Sequence, residues 1–203
     1  MPTLYLTVAL IDRFLERKCV SRKKLKLVGV TAMLLASKVE EVHGALEILD
    51  LVYVTDRSYT DIEIIEFEST MINTLGFCIW MPTIWHFLVH FLNVAGLDSG
   101  KGYWMAHYYA ERTLQTYAML TFLPSMIAAS AVYMARKAIG TSATWDDALV
   151  RATRYKEGTL KLCIRAMADL IHSTTNSSCH AVRDKYRRGK YMSVASIPLP
   201  TFH

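Results

Sequence analysis

Glycine and proline are scarce in this chain: 9 and 5 of 203 residues, about 7% together where about 12% is usual. So few breakers argue against a strand-and-turn architecture. Charge is thin as well, at 20% Asp, Glu, Lys and Arg, below the usual quarter. A hydrophobic share of 52% excludes intrinsic disorder, because apolar surface for a core is plentiful. The four cysteines, Cys19, Cys78, Cys163 and Cys179, contain no Cys-x-x-Cys pair. That spacing is neither a disulfide framework nor a zinc module and suits a reducing compartment. No Gly-x-x-x-x-Gly-Lys loop and no Gly-x-Ser-x-Gly elbow occurs. His86 and His90 have the spacing of a zinc protease, but Phe87-Leu88-Val89 between them supplies no glutamate base. They read as half-buried packing histidines. Glu40/Glu41 and Asp146/Asp147 are adjacent pairs that diverge on a helix and cannot share a substrate. No catalytic residue, cofactor site, metal site or small-molecule substrate is therefore expected.

What is present is apolar length. Residues 69–97 and 113–135 carry no Asp, Glu, Lys or Arg, and each could span the roughly 30 Å of a bilayer core. Pro82 interrupts the first and Pro124 the second. Proline inside a helix removes a hydrogen bond and clashes with the preceding turn, so each stretch reads as two shorter helices and no membrane partner is expected. No secretory signal opens the chain.

The apolar period is helical almost throughout. Leu4, Leu6, Leu10, Ile11, Phe14 and Leu15 form a stripe, with Asp12, Arg13 and Glu16 facing away from it. Ser21 is placed to cap a helix through Leu25, Val28, Ala32, Leu35 and Val39, apolar on several sides and so central to something. Thr60 with Glu63 fits a capping box, and Gly76 a helix terminus. Further helices are expected over residues 83–94, 103–117, 124–139 and 160–172, with Thr144 and Asp147 capping a short one between the last two. A Ser/Asn-rich loop and a polar, basic tail close the chain. The fold class is all-α. An internal echo joins Gly29, Ala32, Ala36 and Lys38 to Ala128, Ala131, Ala135 and Lys137, each pair 99 residues apart. Small residues admit close neighbours to a central helix, so two related bundles are expected, meeting near residue 80.

The net charge of +5 is partly local. Arg17, Lys18, Arg22, Lys23, Lys24 and Lys26 form one basic cluster; Arg183, Lys185, Arg187, Arg188 and Lys190 form another. Both read as solvated helix ends or loops. Nucleic-acid binding asks for stacking aromatics, which only the second cluster offers, at Tyr186 and Tyr191.

One segment asks for more than packing. Leu4-Tyr5-Leu6, Ile11-Asp12-Arg13-Phe14-Leu15 and the run from Leu27 to Glu41, ending Leu34-Leu35-Ala36-Ser37-Lys38-Val39-Glu40-Glu41, resemble the cyclin box of mitotic cyclins. Val54-Thr55-Asp56, Tyr59-Thr60, Phe67-Glu68, Leu75-Gly76-Phe77, Phe87-Leu88, Leu123-Pro124-Ser125 and Lys185-Tyr186 continue the match in order. Cys19-Val20 and the run from Leu27 to Met33 look more like B-type than A-type cyclins.

The resemblance implies tandem cyclin-box helical bundles, over residues 1–80 and 81–203 with the C-terminal tail. It implies a regulatory subunit that binds and activates a cyclin-dependent Ser/Thr protein kinase through the kinase αC helix, at G2/M, in nucleus and cytoplasm. It assigns Lys38 and Glu68 to hydrogen bonds with the kinase main chain beside that helix. Leu35, Val39, Ile72, Phe77 and Ile79 match the apolar groove around it. The family's first helix, with its Met-Arg-Ala-Ile-Leu type patch, has no counterpart here, since the match starts at the second helix. The expectation is a truncated box whose central helix lacks one wall and exposes apolar surface. Val42-His43-Gly44-Ala45-Leu46-Glu47 replaces the family's usual Pro-Pro pair, and substrate docking through the absent patch does not carry over. The alternative is a cyclin-fold transcription factor holding DNA through its basic faces, which would bind duplex salt-dependently.

Overall fold

The computed structural model describes residues 1–41, 44–173 and 180–200, and it contains helices and no strand among them. The helices are α1 (Pro2–Arg17), α2 (Leu25–Glu40), α3 (Ile48–Val54), α4 (Asp61–Thr74), α5 (Ile84–Val94), α6 (Gly100–Thr113), α7 (Pro124–Ala138), α8 (Asp147–Thr153), α9 (Glu157–Ser173) and α10 (Ala181–Arg187). Among the described residues no helix is long and apolar enough to cross a membrane. The chain divides into two compact units, Met1–Thr83 and Ile84–His203.

In the first unit α2 is central and packs against α1, α3 and α4. Ala32 and Ala36 are fully buried, and their small side chains let α1 and α4 close on either side. Leu6, Leu10, Phe14, Val28, Leu35, Met71 and Leu75 fill one core layer. The opposite side of α2 is also covered, because Leu27 and Leu34 pack with Leu51 of α3 and Ile64 of α4. The expected bare wall on α2 is thus largely filled by α3. Exposed apolar side chains remain at Leu49, Tyr53 and Val54 of α3, at Leu25 of α2, and at Leu4 and Leu15 of α1, which the expected α1 stripe had counted as core-facing.

In the second unit α7 takes the central place, against α5, α6 and α9, with Ala128, Ala131 and Ala135 fully buried. The offset of 99 holds for whole elements. It carries α2 onto α7 from the same first residue, α3 onto α8 at both ends, and the last residue of α4 onto that of α9. Within the chain α5 has no counterpart in the first unit under this offset.

Local signals explain most boundaries. Thr60 and Glu63 form the full capping box of α4, and Pro124 occupies the first turn of α7, where its missing N–H costs nothing. Three expectations are corrected. Ser21 precedes a 3-10 turn at Arg22–Lys24 without a side-chain cap, and α2 starts at Leu25. The cap of α8 is Asp146, whose carboxylate accepts from Leu149 N–H at 3.0 Å, rather than Thr144; Arg136 holds that carboxylate in place at 3.0 Å. Residues 174–179, expected as a loop, lie outside the described residues; beyond them the described part of the tail is folded. Tyr186 and Val194 are buried, and α10 packs on α6. The reason is an acid: Glu111 of α6, 3% exposed, binds Lys185 Nζ at 2.7 Å and accepts from the Tyr186 hydroxyl at 2.9 Å.

Candidate functional site

Lys38 ends α2, where a cation favours the C-terminal dipole. Glu68 lies in the middle of α4. Lys38 Nζ donates to Glu68 Oε1 at 2.7 Å and to Oε2 at 2.9 Å. The lysine side chain is 47% exposed and the glutamate 13%. An ammonium has three protons and a carboxylate about four lone pairs, so this contact leaves donors and acceptors free at the surface.

The apolar candidates divide by burial. Leu35 is 2% exposed and belongs to the core beneath the site, as part of its floor rather than its surface. Val39, Ile72 and Ile79 are half-buried and pack on that same core. Phe77 is 73% exposed.

Phe77 also has an unusual backbone. Gly76 and Phe77 both adopt left-handed conformations, with φ of 62° and 61°. Glycine does this freely, but a residue with a Cβ is strained there by roughly 1–2 kcal/mol. Phe77 N–H bonds the Ile72 carbonyl at 3.0 Å and Gly76 N–H that of Asn73 at 3.1 Å, closing α4. The turn is clamped from α1: Arg13 Nη1 donates to the Cys78 carbonyl at 2.6 Å and Arg17 Nη1 to the Thr74 carbonyl at 3.1 Å. Arg13 does face away from the core stripe, as its spacing requires, but toward this turn. Strain held in place by clamps, at an aromatic the core does not bury, is a mark of a functional surface.

Sequence reasoning missed three contributors. Ile65, 47% exposed, and Ile62, 63% exposed, extend the outer stripe of α4 that carries Glu68 and Ile72; the i, i+3, i+7 spacing was the available signal. Ser37, fully buried, donates to the Leu34 carbonyl at 2.9 Å and accepts from Leu46 N–H at 3.3 Å. It draws the chain after the α2 terminus back against that helix.

The internal repeat provides a control. The offset that matches α4 with α9 sets Met167 at the position of Glu68, fully buried in the second unit's core. Lys137 stands at the position of Lys38. The same scaffold thus folds without an acid at this point.

Other candidates resolve differently. His86 is half-buried and His90 exposed, its ring 5.6 Å from that of Phe91. Among the described residues no group of three His, Cys, Asp or Glu side chains could hold a metal. The aromatics of the second basic cluster are engaged: Tyr186 is buried against Tyr108, and Tyr191 packs edge-on against Trp104 at 5.0 Å.

Residues 1–80 match the family model "Cyclin, N-terminal domain", and residues 82–200 match "Cyclin, C-terminal domain". The chain belongs to the cyclin family. It is 41% identical to Cyclin-A2-1 of Oryza sativa subsp. japonica, over 98% of this chain and 41% of that protein. It is 40% identical to the G2/mitotic-specific cyclin-B of Spisula solidissima, over 96% of this chain and 45% of that one. Cyclin-B1-3 of Arabidopsis thaliana is 42% identical over 92% and 44%. The chain therefore spans less than half the length of these relatives. A-type and B-type cyclins stand at equal identity, so the leaning to B-type gains nothing from them. The X-ray structure of a viral cyclin from herpesvirus saimiri superposes with a TM-score of 0.73 at 20% identity, covering 83% of this chain and 75% of that one. That likeness agrees on the fold, tandem cyclin-box bundles.

Proposed function

We propose that this cyclin is a non-catalytic regulatory subunit that binds and activates a cyclin-dependent Ser/Thr protein kinase, at G2/M of the mitotic cycle and in nucleus and cytoplasm. The observation that carries the reading is the Lys38–Glu68 pair, its lysine half-exposed and its glutamate on the outer stripe of α4, in a unit that also presents the exposed, strained Phe77. The second box, whose scaffold is the same, has Met167 in place of the acid.

A protein kinase works only when the lysine of its third strand pairs with the glutamate of its αC helix. A partner that binds the inward position of αC more tightly than the outward one shifts the population inward. Moving a kinase from 1:99 to 99:1 takes about 5.5 kcal/mol of differential binding. Burying an exposed Phe side chain contributes about 1.5–3 kcal/mol, so Phe77 with Val39, Ile72 and Ile79 is the main source of affinity. Charge-assisted hydrogen bonds add about 1.5–3 kcal/mol each and demand geometry. Lys38 and Glu68 accordingly set the register of αC, each holding the other in place while presenting free donors and acceptors to kinase main chain.

The DNA-binding alternative draws no support. Its relatives here are cyclins, and the aromatics it needed are packed inside the second box.

Mixing the purified chain with a cyclin-dependent kinase and following histone phosphorylation tests the proposal. A rise in rate that saturates with chain concentration is the expected result. An unchanged rate, with association absent as well, overturns it.

A further inference from the structure

The connection between α1 and α2 holds a charge anomaly that kinase binding does not use. Residues 17–26 contain six cations and no acid. The remainder of the first unit, residues 1–83, holds three cations against eleven acids. The basic segment is thus an island on an acidic body. Among the described residues none of Lys18, Arg22, Lys23, Lys24 and Lys26 forms a salt bridge. Lys24 acts on Glu63 electrostatically, but that carboxylate is committed to the capping box of Thr60.

The fold does not require these charges. The offset of 99 that relates the two boxes sets residues 116–125 against 17–26, and that stretch, Thr116 to Ser125, carries no charged side chain. It makes the same connection into a central helix, also through a 3-10 turn. In the first box this connection borders a cleft of about 380 Å³, with Lys18 and Lys24 on its walls and Cys19, Val20, Ser21, Phe67 and Thr70 lining it. That volume lies within the roughly 300–1,000 Å³ of ligand sites. Ser21 Oγ has no hydrogen-bond partner among the described residues. Two unpaired ammonium groups and a free hydroxyl over a small apolar floor are the chemistry for a compact dianion on a short aliphatic stem.

We propose that this cleft binds a peptide segment bearing one phosphoserine or phosphothreonine. The phosphate, with a charge of about −1.5 to −2 at pH 7, lies between Lys18 and Lys24, and the stem of the residue rests on Val20 and Phe67. A nucleic acid fits less well, since its repeated phosphates would run from the basic island onto acidic surface. Phe67 is no stacking platform either, because its ring already meets that of Phe14 edge-on at 5.6 Å. An anionic membrane, as a plane of charge, meets the same repulsion.

The test uses the intact chain without kinase, so its failure is separate from failure of the kinase reading. Fluorescence anisotropy is read with a labelled peptide carrying one phosphoserine among neutral residues, with its unphosphorylated twin, with a labelled DNA duplex and with phosphatidylserine vesicles. Binding of the phosphorylated peptide at least tenfold tighter than its twin is expected. Lys18→Gln with Lys24→Gln should weaken it at least tenfold. Lys23→Gln with Lys26→Gln, which removes equal charge outside the cleft, should change it less than twofold. Circular dichroism confirms that both variants fold. Alkylation of Cys19 should slow at saturating phosphopeptide while that of exposed Cys78 does not. Equal binding of the two peptides, equal loss in the two double variants, unprotected Cys19, tighter binding of duplex or vesicles, or competition by inorganic phosphate at the peptide's own concentration would each overturn the proposal.

Discussion

Lys38 and Glu68 show how a contact can matter for binding and little for folding. An exposed ion pair contributes about 0.2–1 kcal/mol to stability, so Lys38→Ala should leave the urea midpoint almost unchanged. Leu35, beneath them and 2% exposed, has the opposite profile. Leu35→Ala opens a cavity in the first core and should cost about 2–5 kcal/mol, read as an earlier urea transition. Phe77→Ala separates the two roles at one position. With the side chain 73% exposed, stability should move by less than about 0.5 kcal/mol, while kinase affinity falls at least tenfold. A large loss of stability would show that the ring serves the fold instead.

His107 is the clearest buried titratable side chain. It is 1% exposed, both ring nitrogens lack hydrogen-bond partners, and the rings of Trp85 and Tyr103 lie 5.0 and 4.4 Å away. Burial, helped by the Lys185 charge, lowers its pKa to about 4 from the usual 6.5. Between those values the unfolded chain binds a proton that the native state refuses. Stability is therefore whole above pH 6.5 and falls toward pH 4, by on the order of 3 kcal/mol. His107→Phe should flatten the melting temperature between pH 6.5 and 4.5 and raise it throughout. A slope unchanged in the variant would assign the pH response to other groups.

At the scale of elements, most local signals were read correctly, the caps assigned to Ser21 and Thr144 excepted. The capping box of α4 and the proline start of α7 depend on residues within one turn, and the helical stripes on a period of 3.6. Contacts across long separations left no such signal. The tail of the second box looks polar and basic because Lys185 and Tyr186 belong to Glu111, more than seventy residues earlier. The clamp of Arg13 on the Cys78 carbonyl spans 65 residues, and the left-handed Phe77 follows from how that turn is held. Phe77 was legible as a site residue only through resemblance. Lys185→Ala tests the tail anchor: it leaves the buried Glu111 carboxylate without its cation and should cost about 3–5 kcal/mol. Hydrogen exchange should then rise in α10 and along α6, while α2 keeps its protection.

For the molecule as a whole, the offset of 99 residues was visible as four matched positions and proves to relate four consecutive helices of one box to four of the other. Comparing equivalent positions isolates what packing leaves unexplained: the acid at Glu68 and the basic island before α2. The most direct test is calorimetric titration of a cyclin-dependent kinase with three forms of the chain. The Lys38→Ala, Glu68→Ala double variant should bind at least tenfold more weakly than the wild type with its helicity intact. Lys137→Ala, at the equivalent position of the second box, should bind as the wild type does. Wild-type affinity in the double variant, or an equal loss in Lys137→Ala, would contradict the assignment of kinase binding to the first box.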